Sequence, residues 1–244
     1  YATLVGLHTT LMSFVALFLP RSSFFADLIP DSIVITSQDR PQDPFLDDLT
    51  RNPTATLVAL CLGLVLLQAW WAGWMRRWWM EYIVEGTDDE RKLKTLELNK
   101  QKRSVLLKAW AGTFVASFPL CFIIWLFGAP VTGGYLLKTY LLSLLVSLLI
   151  ILPPAYVLGV PTISSGHRNF FIRFGWIKLF VERTIRTPIE RALAYPVFGA
   201  VIGCWCGAIP TALDWDRPWQ AWPLTTAYGA VFGYIMASLL AVTL

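Results

Sequence analysis

The sequence predicts an all-α polytopic membrane protein with six transmembrane helices, and three observations carry that prediction. Hydrophobic residues make up 56% of the 244-residue chain and charged residues only 15%, against about 25% in soluble domains. Mean hydropathy is +0.56, and one soluble core of this length could not bury so much apolar surface. The apolar residues also gather into runs that match the length of about 20 residues a helix needs to cross a bilayer. A disordered chain, a nucleic-acid binder and an ordinary cytosolic enzyme are excluded as default classes.

The first span is read over residues 1–19, uncharged and ended by Pro20-Arg21. The second covers 54–74 and runs into Arg76-Arg77 amid Trp70, Trp71, Trp74, Trp78 and Trp79, the Trp-beside-Arg pattern of a headgroup anchor. The third covers 105–127. The fourth covers 135–152, where Pro153-Pro154 should kink or end it. The fifth covers 193–213 and the sixth 222–243. A single membrane domain over 1–244 follows. The chain begins at Tyr1 rather than Met, as expected of a sequence shortened at its start, where a basic leader would be lost.

Residues 168–190 are too charged to cross. Phe170, Phe174, Ile177, Val181 and Ile185 recur at helical spacing among Arg168, Arg173, Lys178, Arg183 and Arg186. One reading is an amphipathic helix in the interface plane, its apolar face in the membrane and Arg168, Arg173, Lys178 and Arg183 toward lipid headgroups. The other is a soluble helix packed on the protein's own loops.

Charge by loop sets the orientation. Fifteen of the 20 basic residues fall on the second and fourth loops and five on the first, third and fifth. The basic side is expected to be cytosolic, and both termini with it. Six acids of the first loop (Asp27, Asp31, Asp39, Asp43, Asp47, Asp48) then face the other compartment. The mixed run from Asp88 to Arg103 reads as a solvated cytosolic segment or, alternatively, a patch for anionic lipid.

Catalytic chemistry is thinly supplied. His8 lies inside a span, and His167 has no acid near it in sequence. There is no nucleophile elbow, phosphate-cradling Gly loop or paired His at helical spacing. The four Cys all sit in apolar runs and lack metal-ligand spacing. No catalytic, cofactor-binding or metal residue is assigned.

One polar turn stands out. Asp214, Trp215, Asp216, Arg217, Pro218, Trp219, Gln220, Ala221, Trp222 and Pro223 join the fifth and sixth spans on the non-cytosolic side. Two carboxylates without His or a third ligand make a weak metal site. A structural corner contacting a partner or lipid headgroup is the preferred reading. The flanking spans carry Gly199, Gly203 and Gly207, then Thr225, Gly229, Gly233 and Ala237, each four apart. Such small-residue stripes let helices approach closely in lipid. Spacing leaves open whether the stripes face each other or another protein. Ser143 and Ser147 form a weaker pair on the fourth span.

These residues carry a resemblance. Phe198 to Tyr234, with Gly207-Ala208-Ile209-Pro210, Leu213 to Trp219, Trp222-Pro223 and Gly229-Ala230-Val231-Phe232-Gly233-Tyr234, closely resembles the phosphatidylinositol-glycan class F (Pig-F) family. A weaker match is Phe127-Gly128-Ala129-Pro130. The resemblance implies a non-catalytic, multi-pass subunit of the endoplasmic-reticulum membrane in GPI-anchor biosynthesis. Its implied partner is a Pig-O-like or Pig-G-like ethanolamine-phosphate transferase, which it binds and stabilises. That partner moves phosphoethanolamine from phosphatidylethanolamine onto mannose of the anchor precursor and carries the metal. In the leading version, the glycine-lined helices and the luminal turn dock the transferase's helices. The alternatives are a lipid-handling subunit shaping a groove for phosphatidylethanolamine or the glycolipid, and an autonomous enzyme using Asp214 and Asp216.

Overall fold

The computed structural model describes residues 1–22, 44–83, 102–162, 166–213, 215 and 217–243. Within them, six helical stretches are long and apolar enough to cross a membrane, and no residue is in a strand. The spans are α1 (Ala2–Phe18), α3 (Pro53–Ile83), α4 (Lys102–Leu126), α5 (Leu136–Ile150) running on into α6 (Leu152–Leu158), α8 (Pro188–Ala208) and α9 (Leu224–Thr243). Two shorter helices lie between them, α2 (Pro44–Thr50) and α7 (His167–Trp176).

The fourth span is the axis of the bundle. Of its most apolar window 83% is buried, against 17% for α4. α5 packs on α3, α4, α8 and α9. Its small polar residues allow this: Ser143 and Ser147 are fully buried, and the Ser147 hydroxyl donates to the Thr113 carbonyl of α4 at 2.6 Å. Pro153-Pro154 interrupt this span at Ile151 without ending it. The prolines sit in the first turn of α6, where their missing N–H groups are tolerated. Helix-type bonds from Ile151 N–H to Ser147 O and from Ala155 N–H to Ile151 O bridge the break. Gly159, at φ 98°, then stops the helix.

Other boundaries move outward from the hydropathy limits for local reasons. α3 continues beyond Trp74 to Ile83 because its last turns remain good helix formers. α8 starts at Pro188 because Thr187 and Glu190 form a capping box, with the Thr187 side chain accepting from Glu190 N–H and the Glu190 carboxylate accepting from Thr187 N–H.

The segment 168–190 is not one helix. α7 passes into a π-turn over Ile177–Val181, and Arg183 at φ 55° breaks the chain before α8. Ile172 packs against Gly159, and the Trp176 indole donates to the Gly159 carbonyl at 2.9 Å. Phe170, Phe174, Ile177 and Val181 are exposed on the opposite side. The helix therefore rests on the bundle through one face and leaves its aromatic stripe uncovered.

The N-terminus, the end of α3, α6, the π-turn, the start of α8 and Val242 share one small core around Trp71 and Leu193. This end of the bundle carries Arg76, Arg77, Arg173, Lys178, Arg183, Arg186 and Arg191. The Arg76 guanidinium crosses from α3 to α6, donating to the Tyr156 carbonyl at 2.7 Å. At the opposite end lie α2, the α4–α5 loop and the α8–α9 turn, with α2 touching the turn at Pro218–Gln220.

Candidate functional site

The two glycine stripes face each other. A Cβ added at Gly199 would strike the Gly233 carbonyl oxygen, one at Gly203 the Gly229 oxygen, and one at Gly207 the Thr225 oxygen. The reverse additions at Gly229 and Gly233 meet the Gly203 and Gly199 oxygens. α8 and α9 thus lie backbone on backbone, with Ala237 Cβ closing the seam beyond Gly199. No partner helix can enter that seam while it holds. The surfaces these helices turn outward are instead large and apolar: Val201, Ile202 and Trp205 on α8, Phe232, Met236 and Leu240 on α9.

The turn between them is built by Gln220. Its side-chain NH2 donates to the carbonyls of Pro210 and Leu213, both at 2.7 Å, while its Oε1 accepts from Arg217 N–H at 2.9 Å. One amide so closes both sides of the loop. Trp215 and Trp219 meet edge to face at 5.7 Å between centroids, and Trp215 is half exposed. Asp214 and Asp216 lie outside the described residues. Among the described residues, no three His, Cys, Asp or Glu side chains gather as metal ligands.

Trp222 ties this turn to the core. Its indole N–H donates to Thr139 Oγ1 at 3.0 Å, and the Thr139 hydroxyl donates to the Pro130 carbonyl at 2.7 Å. Thr139 is fully buried. The Phe127-Gly128-Ala129-Pro130 loop and the Trp222-Pro223 turn, far apart in sequence, therefore form one hydrogen-bonded corner at the end away from the basic residues.

At the basic end the four residues assigned to headgroups differ. Lys178 is held by Glu190 at 3.4 Å, so it braces the α7–α8 connection. Arg183 is exposed, its guanidinium 5.6 Å from the Phe198 ring centroid. Arg173 is half-buried on α7. The Arg168 side chain lies outside the described residues.

A family model described as the GPI biosynthesis protein family Pig-F matches residues 43–242, which includes the seam, the Gln220 turn and the Trp222–Thr139 corner. The chain belongs to the Pig-F family. It is 29% identical over 63% of its length to a human protein named GPI ethanolamine phosphate transferase, stabilizing subunit. It is 36% identical over 52% of its length to the Candida albicans protein named glycosylphosphatidylinositol anchor biosynthesis protein 11, covering 44% of that protein. A Yarrowia lipolytica protein of the same name is 28% identical over 80% of the chain and is covered to 74%. The chain spans 64% of the human relative's own length. No solved structure matches it.

Within this Pig-F chain the two glycine stripes (though not their facing), Trp215, Trp219 and Trp222 were visible from spacing and composition. Gln220 and Thr139 were not. A lone Gln in a Trp- and Pro-rich loop carries no periodic signal. Thr139 falls four residues before Ser143 and eight before Ser147, a spacing that marks a shared face without naming the hydrogen-bond partner a buried hydroxyl requires.

Proposed function

We propose that this chain is a non-catalytic subunit of the endoplasmic-reticulum membrane that binds and stabilises a GPI ethanolamine-phosphate transferase. The observation that carries the reading is membership of a family in which human and mouse relatives are named as that transferase's stabilizing subunit. The partner is a Pig-O-like or Pig-G-like transferase, and the metal and the nucleophile of the reaction belong to it. The basic end of the bundle faces the cytosol, since positively charged loops are retained there. The Trp222–Thr139 corner then faces the lumen, on the side where the transferase adds phosphoethanolamine to mannose. α7 rests in the headgroup layer, its exposed Phe170 and Phe174 in the acyl boundary.

A subunit of this kind works by presenting a shape. The α8–α9 hairpin is rigid because its backbones touch, and the corner fixes its luminal end against α5. A partner's apolar helices then meet a surface whose geometry is set before binding, so less ordering entropy is lost on assembly.

The test is co-expression of the tagged transferase with and without this chain. Transferase abundance is expected to fall several-fold without it, and the two proteins are expected to co-purify. Unchanged transferase levels together with no co-purification would overturn the proposal. So would phosphoethanolamine transfer by the purified chain alone, which would return the reaction to this polypeptide.

A further inference from the structure

We propose a binding site for a zwitterionic glycerophospholipid headgroup in a cleft at the basic end, between the N-terminus of α1 and the last turns of α3. The cleft holds about 230 Å³ and is lined in part by Tyr1, Trp71, Trp74, Arg77, Trp78 and Glu81. It is separate from the α8–α9 hairpin and from the Trp222–Thr139 corner, and it does not rest on the transferase partnership.

Depth supports a headgroup. α3 has 31 residues, about 46 Å at the helical rise, whereas the hydrocarbon core is about 30 Å thick. The end that carries Arg76 and Arg77 amid Trp74, Trp78 and Trp79 is the one suited to the headgroup layer, and these are the turns that line the cleft.

Chemistry selects the class of headgroup. Arg77 and Glu81 lie one turn apart, with the guanidinium Nε 3.4 Å from Oε1, and both side chains are mostly exposed. Arg77 also lies 5.9 Å from the Trp74 ring centroid, and the Tyr1 and Trp78 rings are 4.8 Å apart. A guanidinium accepts a phosphodiester as hydrogen-bond partner. A carboxylate beside indole and phenol rings receives an ammonium group, by charge and by cation–π attraction. A headgroup with both charges can replace the exposed Arg77–Glu81 pair by two complementary pairs. A purely anionic headgroup would satisfy Arg77 and leave its own charge beside Glu81.

The walls below the cleft suit acyl chains. Leu4 belongs to the lining, and Leu7 and Leu11 continue the same stripe of α1 with exposed side chains. On α3, Leu66 and Leu62 continue the Trp74 stripe and are also exposed. Both stripes run from the cleft toward the bundle's middle, so the chains would follow the headgroup without a turn.

Lipid titration of the purified full-length protein, read by native mass spectrometry, tests this. Separate arms use phosphatidylethanolamine, phosphatidylcholine and phosphatidylglycerol with the same acyl chains. One zwitterionic lipid is expected to bind at least five-fold more tightly than phosphatidylglycerol, and the better arm names the ammonium. Glu81→Gln and Trp78→Ala are each expected to weaken that binding about five-fold. Trp78→Phe, which keeps an aromatic face, should retain most of it. Trp125→Ala, at the other end of the bundle, should retain all of it. Equal binding of phosphatidylglycerol, or full binding by Glu81→Gln and Trp78→Ala, would overturn the site. Either result would leave transferase co-purification, and the function proposed from it, untouched.

Discussion

Gly203 and Gly229 lie so close across the α8–α9 seam that a Cβ on either would overlap the other's carbonyl oxygen. The obstacle is backbone in both directions, so no side-chain rotamer change relieves it. Gly203→Leu must therefore separate the helices, and with them the Gly199–Gly233 and Gly207–Thr225 contacts. Overpacking costs about 1–3 kcal/mol in ordinary cores, and a rigid backbone neighbour puts this substitution at the top of that range. Ile202→Leu, one residue away on the exposed face, should change stability by about 0.5 kcal/mol or less. Thermal unfolding of the detergent-solubilised protein separates the two, and matching midpoints would refute the seam. Transferase abundance should fall with Gly203→Leu as well, because the hairpin is deformed rather than because a partner's groove is filled.

The corner at Trp222 makes a finer prediction. Trp222→Phe removes one donor, whereas Thr139→Val removes the acceptor and also the donor to Pro130 O. Intramembrane side-chain hydrogen bonds average about 0.6 kcal/mol and reach about 1.7. Thr139→Val should be the costlier change, because it strands the half-buried Pro130 carbonyl as well as an indole N–H. A double-mutant cycle over the two positions should give a coupling of about 0.5–1.5 kcal/mol. Strict additivity would mean that the bond contributes nothing to the fold.

The spans were legible in the sequence because hydropathy reports which segments leave water, and the orientation of each relative to the next follows from their number. Hydropathy does not report which spans leave lipid. α4 and the fourth span are both strongly apolar, yet one is the rim and the other the axis. The distinguishing signal was the row Thr139, Ser143 and Ser147, small hydroxyl residues four apart that are all fully buried. The facing of the glycine stripes was unreadable for a related reason. Spacing defines a groove on one helix, whereas its occupant depends on the rotation of a second helix. Lys178 shows the same limit at single-residue scale: its charge suited a headgroup, but Glu190, twelve residues on, is folded back against it.

That Glu190 contact is itself testable. Its carboxylate accepts from the N–H groups of Arg186 and Thr187 at 2.8 and 3.0 Å and from Lys178 at 3.4 Å. Glu190→Ala removes all three and is expected to cost about 1–2 kcal/mol, as lost caps do. The loss should be local. Hydrogen exchange at the Arg186 and Thr187 amides should accelerate at least ten-fold, while the amides of α5 stay protected. Unchanged exchange at those two amides would show that the capping box does not hold the start of α8.

His8 offers the sharpest separation of shape from polarity. Its imidazole is fully buried on α1, stacked on Trp71 at 4.5 Å and set edge-on to Tyr234 at 5.9 Å. Among the described residues, neither ring nitrogen has a hydrogen-bond partner. What the side chain supplies to the contact between α1, α3 and α9 is thus a flat ring of the right size. Phe supplies a similar ring without the desolvated nitrogens, so His8→Phe should be neutral or stabilising by up to about 1 kcal/mol. His8→Ala leaves the ring's volume unfilled beneath Trp71 and should cost about 2–4 kcal/mol. Unfolding midpoints of the two variants decide the matter. If Phe proves as damaging as Ala, the nitrogens rather than the ring hold this site together, and the packing account of His8 is wrong.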